Sequence, residues 1–238
     1  MSKNIVILHG WASKLQRWES IKKKFEEKGL RVFLPSLPGF SKEEIVKAYN
    51  LDDYISWLKN YLKEKKIKDF YLLGHSFGGS LGIKYAALKN KDLKGLILVN
   101  SAGIRKKLTF KKLIFLIIAK SGKALFYLPP FCFFSKLAQK ALYLVAREKD
   151  YFLASKIMKK TMKKILKEDL TGKLQKIKAP VLIIWGRKDK VTPLKDGLMM
   201  KKAIPNSKLL VYNNSGHSLP FKKSQCFTKD ILDFINNG

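Results

Sequence analysis

A serine between glycines, with a histidine and an aspartate late in the chain, could together carry out acyl-transfer chemistry. Gly74-His75-Ser76-Phe77-Gly78 lies between Asp69-Phe-Tyr-Leu-Leu73, an apolar run that reads as a buried strand, and Ser80-Leu-Gly-Ile-Lys-Tyr-Ala-Ala-Leu88, whose apolar residues recur at helical spacing. A G-x-S-x-G at a strand-to-helix junction holds its serine on a strained turn above the sheet edge, and its glycines make room for the surrounding backbone. The serine hydroxyl is a poor nucleophile until a base takes its proton. Of the three histidines, His75 adjoins Ser76 on the turn, where neighbouring side chains point apart, and reads as a packed or solvated neighbour. His9 ends the first strand and is expected to bond backbone. His217 remains, in the polar loop Asn213-Asn-Ser-Gly-His217-Ser after the apolar run Leu209-Leu-Val-Tyr212, where a base for Ser76 belongs. The base needs a carboxylate to fix its tautomer. Asp189, in the loop Arg187-Lys-Asp189-Lys-Val-Thr-Pro193 after the strand Pro180-Val-Leu-Ile-Ile-Trp-Gly186, is the candidate; Asp196 is its nearest competitor but lies further into the following helix.

The order Ser76, Asp189, His217 resembles that of the α/β-hydrolase fold, with the acid after one late strand and the histidine after the last. His9-Gly10-Trp11, after Asn4-Ile-Val-Ile-Leu8, also looks like that family's oxyanion-loop motif, and the likeness runs from Ile5 to Phe234. The resemblance implies that the backbone N–H groups of Trp11 and Phe77 form an oxyanion hole. Within the family, the His-Gly-Trp opening is similar to that of carboxylesterases of the pimeloyl-carrier-protein methyl esterase type. A serine esterase working through an acyl-enzyme is therefore expected, with a thioesterase or carbon–carbon bond hydrolase on the same triad as alternatives. A lipid- or protein-binding module with a vestigial site is the alternative from another class.

The elements that must position these residues are legible as alternating runs. Strands are expected at residues 4–9, 31–35, 69–74, 93–99, 180–186 and 207–212, and helices at Trp18–Lys28, Leu51–Lys65, Ser80–Lys89 and Pro220–Phe234. Such alternation implies right-handed crossovers and a mostly parallel sheet of about six strands with helices on both faces. The strand runs are continuously apolar, as strands buried on both faces should be. Many family members begin with an antiparallel hairpin, whereas this chain reaches its oxyanion strand at Asn4, so a trimmed sheet with one edge to protect is expected.

Residues 105–173 break the alternation and read as helices at Phe110–Ala119, Lys136–Glu148 and Tyr151–Leu166, with Pro129-Pro130 between the first two. The insertion is similar to the helical cap of many α/β-hydrolases, giving a core of residues 1–104 and 174–238 and a cap of 105–173. The aromatic run Phe126-Tyr-Leu-Pro-Pro-Phe-Cys-Phe-Phe134 reads equally as an acyl-pocket lining and as packing. Leu113-Ile-Phe-Leu-Ile-Ile-Ala119 is far shorter than the roughly 20 residues a membrane span needs.

The chain carries 49 Lys/Arg against 18 Asp/Glu, a net charge of +31. Arginine, whose bidentate fork suits specific phosphate sites, occurs only at positions 17, 31, 105, 147 and 187. With lysines spread along every helix and no nucleic-acid-binding motif, a solvated lysine surface is expected rather than specific nucleic-acid binding. Residues 105–170 hold 17 Lys/Arg against four acidic residues, a bias that would attract an acidic or carrier-bound ester, or bring the cap weakly against an anionic membrane surface. Cys132 and Cys226 have no metal or redox spacing, so no metal, cofactor or disulfide framework is expected. The N-terminus enters a core strand at once without signal-peptide features, and a cytoplasmic location is expected.

Overall fold

The computed structural model describes residues 3–40, 45–104 and 154–237. Six strands form one sheet in the order β2-β1-β3-β4-β5-β6, every neighbouring pair parallel. They are β1 (Asn4–Leu8), β2 (Arg31–Phe33), β3 (Phe70–His75), β4 (Leu93–Val99), β5 (Val181–Gly186) and β6 (Ser207–Tyr212). The described helices are α1 (Leu15–Glu26), α2 (Leu51–Glu64), α3 (Phe77–Ala86), α4 (Lys156–Lys167), α5 (Thr171–Leu174), α6 (Leu194–Ala203), α7 (Leu219–Lys222) and α8 (Ser224–Asn237).

Continuous apolar strands make sense here because both faces are covered. Val6, Leu8, Leu72, Leu96, Leu98, Val181, Ile183 and Trp185 point to one face and pack with Tyr54 and Leu58 of α2, Leu81 and Tyr85 of α3, and Met200 of α6. Ile5, Ile7, Leu73, Ile97, Val99, Leu182 and Ile184 point to the other, against Trp18, Ile21 and Phe25 of α1 and Phe227, Ile231 and Ile235 of α8. The period-two alternation of side chains thus divides each apolar run between two cores.

Three differences from the expected elements have local causes. Helix α3 starts at Phe77, directly after the turn, rather than at Ser80; Gly78-Gly79 reads as loop but packs as helix. The expected Pro220–Phe234 helix is two, separated at Lys223, which leaves helical backbone at φ −129°. Strand β2 is only three residues long, ending ahead of Pro35. That short edge, with exposed Arg31 lying 5.1 Å over the Phe33 ring, is poorly suited to pairing with another strand. Helix α2 starts as expected, because Asn50 accepts from Asp53 N–H at 2.9 Å while Asp53 accepts from Asn50 N–H at 2.8 Å, a reciprocal cap.

Contacts divide the chain into residues 1–105 with 160–238, and residues 106–159. The expected helices Phe110–Ala119 and Lys136–Glu148, the aromatic run 126–134, the apolar run 113–119 and Cys132 lie outside the described residues. Of the expected Tyr151–Leu166 helix, the described part runs from Lys156 to Lys167. Among the described residues the one buried lysine is Lys84, held between Asp52 at 2.9 Å and Glu168 at 2.6 Å, and no helix is long and apolar enough to cross a membrane.

Candidate active site

Because all six strands run parallel, the segments leaving their C-terminal ends gather at one edge of the sheet. Ser76 follows β3, Asp189 follows β5 and His217 follows β6, so three positions far apart in sequence share that edge.

Ser76 has φ 54° and ψ −115°, in the region that side chains disfavour. The strain persists because the turn is pinned on both sides. Ser76 N–H donates to Val99 O at 3.1 Å, and Ser76 O accepts from Gly79 N–H and Ala102 N–H, each at 2.9 Å. The flanking glycines are required by contact: a Cβ on Gly74 would stand 2.4 Å from Gly78 O, and one on Gly78 would stand 2.0 Å from Leu8 O. Ser76 is half-buried between buried neighbours and spends no side-chain hydrogen bond on capping α3.

Asp189 and His217 meet directly. His217 Nδ1–H donates to Asp189 Oδ2 at 2.8 Å; the carboxylate is wholly buried and the imidazole a quarter exposed. Asp189 Oδ1 also accepts from Val191 N–H at 2.8 Å and Thr192 N–H at 3.0 Å. Burial works against ionisation of Asp189, but the bond to His217, its charge and the two backbone donors outweigh it and hold the carboxyl below the usual range. With Nδ1 occupied, the Nε2 lone pair of His217 is the one that can take a proton. Among the described residues no hydrogen bond joins Ser76 Oγ to the His217 ring. Asp196, the competing acid, lies in the first turn of α6.

The His9-Gly10-Trp11 loop comes against the serine turn. A Cβ on Gly10 would stand 3.2 Å from Ser76 Cβ, and the Trp11 and Phe77 rings lie 5.6 Å apart, edge to face. His9 bonds backbone as expected: Leu37 N–H donates to its Nε2 at 3.1 Å, and its Nδ1–H donates to Gly10 O at 2.8 Å. Burial lowers its pKa and keeps it neutral. As the first residue of α3, Phe77 has an N–H that no intrahelical carbonyl takes.

Three residues outside the expected set complete the edge. Thr192 Oγ1 lies 3.0 Å from both Asp189 Oδ2 and Asn100 O, and its single proton serves one at a time. Asn100, buried at φ 43°, donates through Nδ2 to Gly216 O and His217 O and accepts at Oδ1 from Gly186 N–H. His75 is packed rather than solvated, and Nε2–H donates to His217 O at 3.0 Å. A threonine three residues after Asp189 was the available signal for one; nothing in a single sequence marks the other two. Among the described residues no group of three or more His, Cys, Asp or Glu is placed to hold a metal ion.

Comparison with known proteins accords with this architecture. The family model described as serine aminopeptidase, S33, matches residues 1–224. The 2-hydroxy-6-oxononadienedioate/2-hydroxy-6-oxononatrienedioate hydrolase 2 of Pseudomonas putida is 26% identical over 263 residues, covering 99% of this chain and 88% of its own. Lipase 3 of Moraxella sp. (strain TA144) is 26% identical over 229 residues, covering 90% and 71%. An esterase from Exiguobacterium antarcticum superposes with a TM-score of 0.76 at 23% identity, covering 99% of this chain and 92% of its own. The chain is thus a hydrolase of the α/β-hydrolase superfamily, belonging to the family described as serine aminopeptidase, S33.

Proposed function

We propose that the protein hydrolyses carboxylic esters of small molecules through an acyl-enzyme, with Ser76 as nucleophile, His217 as base and Asp189 as orienting acid. The observation that carries this reading is the 2.8 Å bond from His217 Nδ1–H to buried Asp189, at the same sheet edge as the strained, uncapped Ser76. In the proposed cycle His217 takes the Ser76 proton as the hydroxyl attacks the ester carbonyl. The N–H groups of Trp11 and Phe77 stabilise the oxyanion, each such donor being worth on the order of 10²–10³ in rate. His217 then protonates the leaving alcohol, and water activated by the same ring releases the acid. Substrate choice is assigned to the inserted segment 105–173, whose positive charge favours acidic or carrier-bound esters.

A second reading, hydrolysis of a 2-hydroxy-6-oxo acid at a carbon–carbon bond, is favoured by the names of similar proteins in Pseudomonas putida and Burkholderia cepacia. Hydrolysis of p-nitrophenyl esters from acetate to palmitate, beside a 2-hydroxy-6-oxo dienoate and with Ser76→Ala as control, separates the two. Ester turnover lost in the mutant supports the esterase. Turnover of the dienoate alone supports the second reading, and turnover unaffected by Ser76→Ala sinks both.

A further inference from the structure

We propose that His75 is a positioning residue for His217, acting with Asn100 as a two-sided clamp on the main-chain carbonyl of His217; the inference rests on His217 being the base. His75 Nε2–H donates to His217 O at 3.0 Å, and Asn100 Nδ2 donates to the same oxygen at 3.2 Å and to Gly216 O at 3.1 Å. His75 ends β3 and Asn100 follows β4, its immediate neighbour in the sheet. The loop that carries the base is therefore tied to two strand ends at the base residue itself. Asn100 also accepts from Gly186 N–H at 2.8 Å, and its carbonyl faces Thr192 Oγ1 at 3.0 Å, so the same residue holds the start of the Asp189 loop.

The clamp reaches the ring as well as the backbone. The His75 and His217 ring centroids are 4.9 Å apart, and Trp18 and Phe221 pack on His75 at 5.6 and 6.3 Å. His75 Nδ1 is buried with no hydrogen-bond partner. A ring that donates through Nε2 and leaves Nδ1 bare is the neutral one, since a protonated ring would bury an N–H without an acceptor. The clamp therefore supplies a donor without setting a positive charge against His217 as that ring takes up the serine proton. Asp189 fixes the ring through Nδ1 and the clamp fixes the main chain; together they set where Nε2 points.

His75→Phe keeps the ring bulk and deletes the donor, whereas His75→Gln carries an amide N–H to the place of Nε2; His75→Met replaces the Phe variant if that fails to fold. Reaction of Ser76 with a fluorophosphonate reports activation by the base without choosing an ester. The Phe variant should react about tenfold more slowly and the Gln variant within about threefold of wild type, since small misplacements of a catalytic group are costly. In a His217→Ala background, His75→Phe should cause no further slowing, because the two act as a unit. Long-range ¹H–¹⁵N spectra should show His217 as the Nδ1–H tautomer in wild type and the Gln variant, and as a mixture in the Phe variant. A Phe variant with wild-type rate and tautomer overturns the clamp, as does equal slowing in the His217→Ala background. A wild-type serine inert to the fluorophosphonate overturns the hydrolase assignment of Ser76 instead, and the tautomer comparison then decides the clamp.

Discussion

Mild acid should cost this protein more stability than it costs the His75→Phe variant, because His75 is buried in its neutral form. Desolvation is the main cause of its depressed pKa, followed by the charge of His217, and together with weaker effects they bring it from 6.5 to about 3. The unfolded chain takes up the His75 proton as pH falls below about 6.5, while the folded chain refuses it until about 3. Stability is therefore fully present above pH 6.5 and is lost as pH falls through that window. Between pH 8 and pH 5 the gap spans about 1.5 pH units, which at 1.36 kcal/mol per unit is a loss of about 2 kcal/mol from this residue. Urea unfolding followed by the fluorescence of buried Trp18 and Trp185 measures it, as a drop in midpoint on the order of 1 M. Titrating groups that do not interact with His75, among them His9 whose pKa is also lowered by burial, act alike in both proteins and cancel. His217 and Asp189 do interact with it, so the comparison is repeated in a His217→Ala background. Equal losses of stability in wild type and His75→Phe between pH 8 and pH 5 would mean that folding does not hold back the His75 proton.

Other expected outcomes follow from particular contacts. Asp189→Asn removes the charge that holds His217 and should lower ester kcat/KM by about 10³–10⁴, while circular dichroism shows an unchanged fold. Gly78→Ala drives a methyl to 2.0 Å from Leu8 O and should cost about 3 kcal/mol or more in urea unfolding. Gly172→Ala, with nothing within 4 Å, should be neutral or stabilise by up to about 1 kcal/mol in the same assay. Asn50→Ala deletes half of the reciprocal cap on α2 and should cost about 1 kcal/mol, read as a lowered thermal midpoint.

Much of the scaffold was legible because its signals are local. Six apolar runs became six strands within a residue or two at their ends. The central strands β1, β3, β4 and β5 are buried on both faces and so nearly apolar throughout, while the edge strands β2 and β6 are only partly covered. The Ser76 turn announced itself because glycine alone fits at 74 and 78, where backbone passes within 2.4 Å and 2.0 Å of the missing Cβ. Helix ends were less legible. Gly78-Gly79 looks like loop, yet α3 runs through it, packed so tightly that a Cβ on Gly78 would meet Leu8 of β1 and one on Gly79 would meet Ser101 after β4.

By itself the sequence determined the kinds of groups available, their order along the chain and the ends of the strands that deliver them. Ser76, Asp189 and His217 could be nominated because each follows a recognisable apolar run. Only the tertiary structure decided which side chains touch. Asp189 rather than Asp196 reaches His217, at 2.8 Å. His75 turned out to be a buried donor to the His217 carbonyl, and Asn100 to join the ends of β4 and β5 to the histidine loop. Those contacts span 28 to 142 residues of sequence. Chain propensity acts over a few residues, whereas a hydrogen bond acts over about 3 Å of space, and only the assembled parallel sheet brings the two scales together.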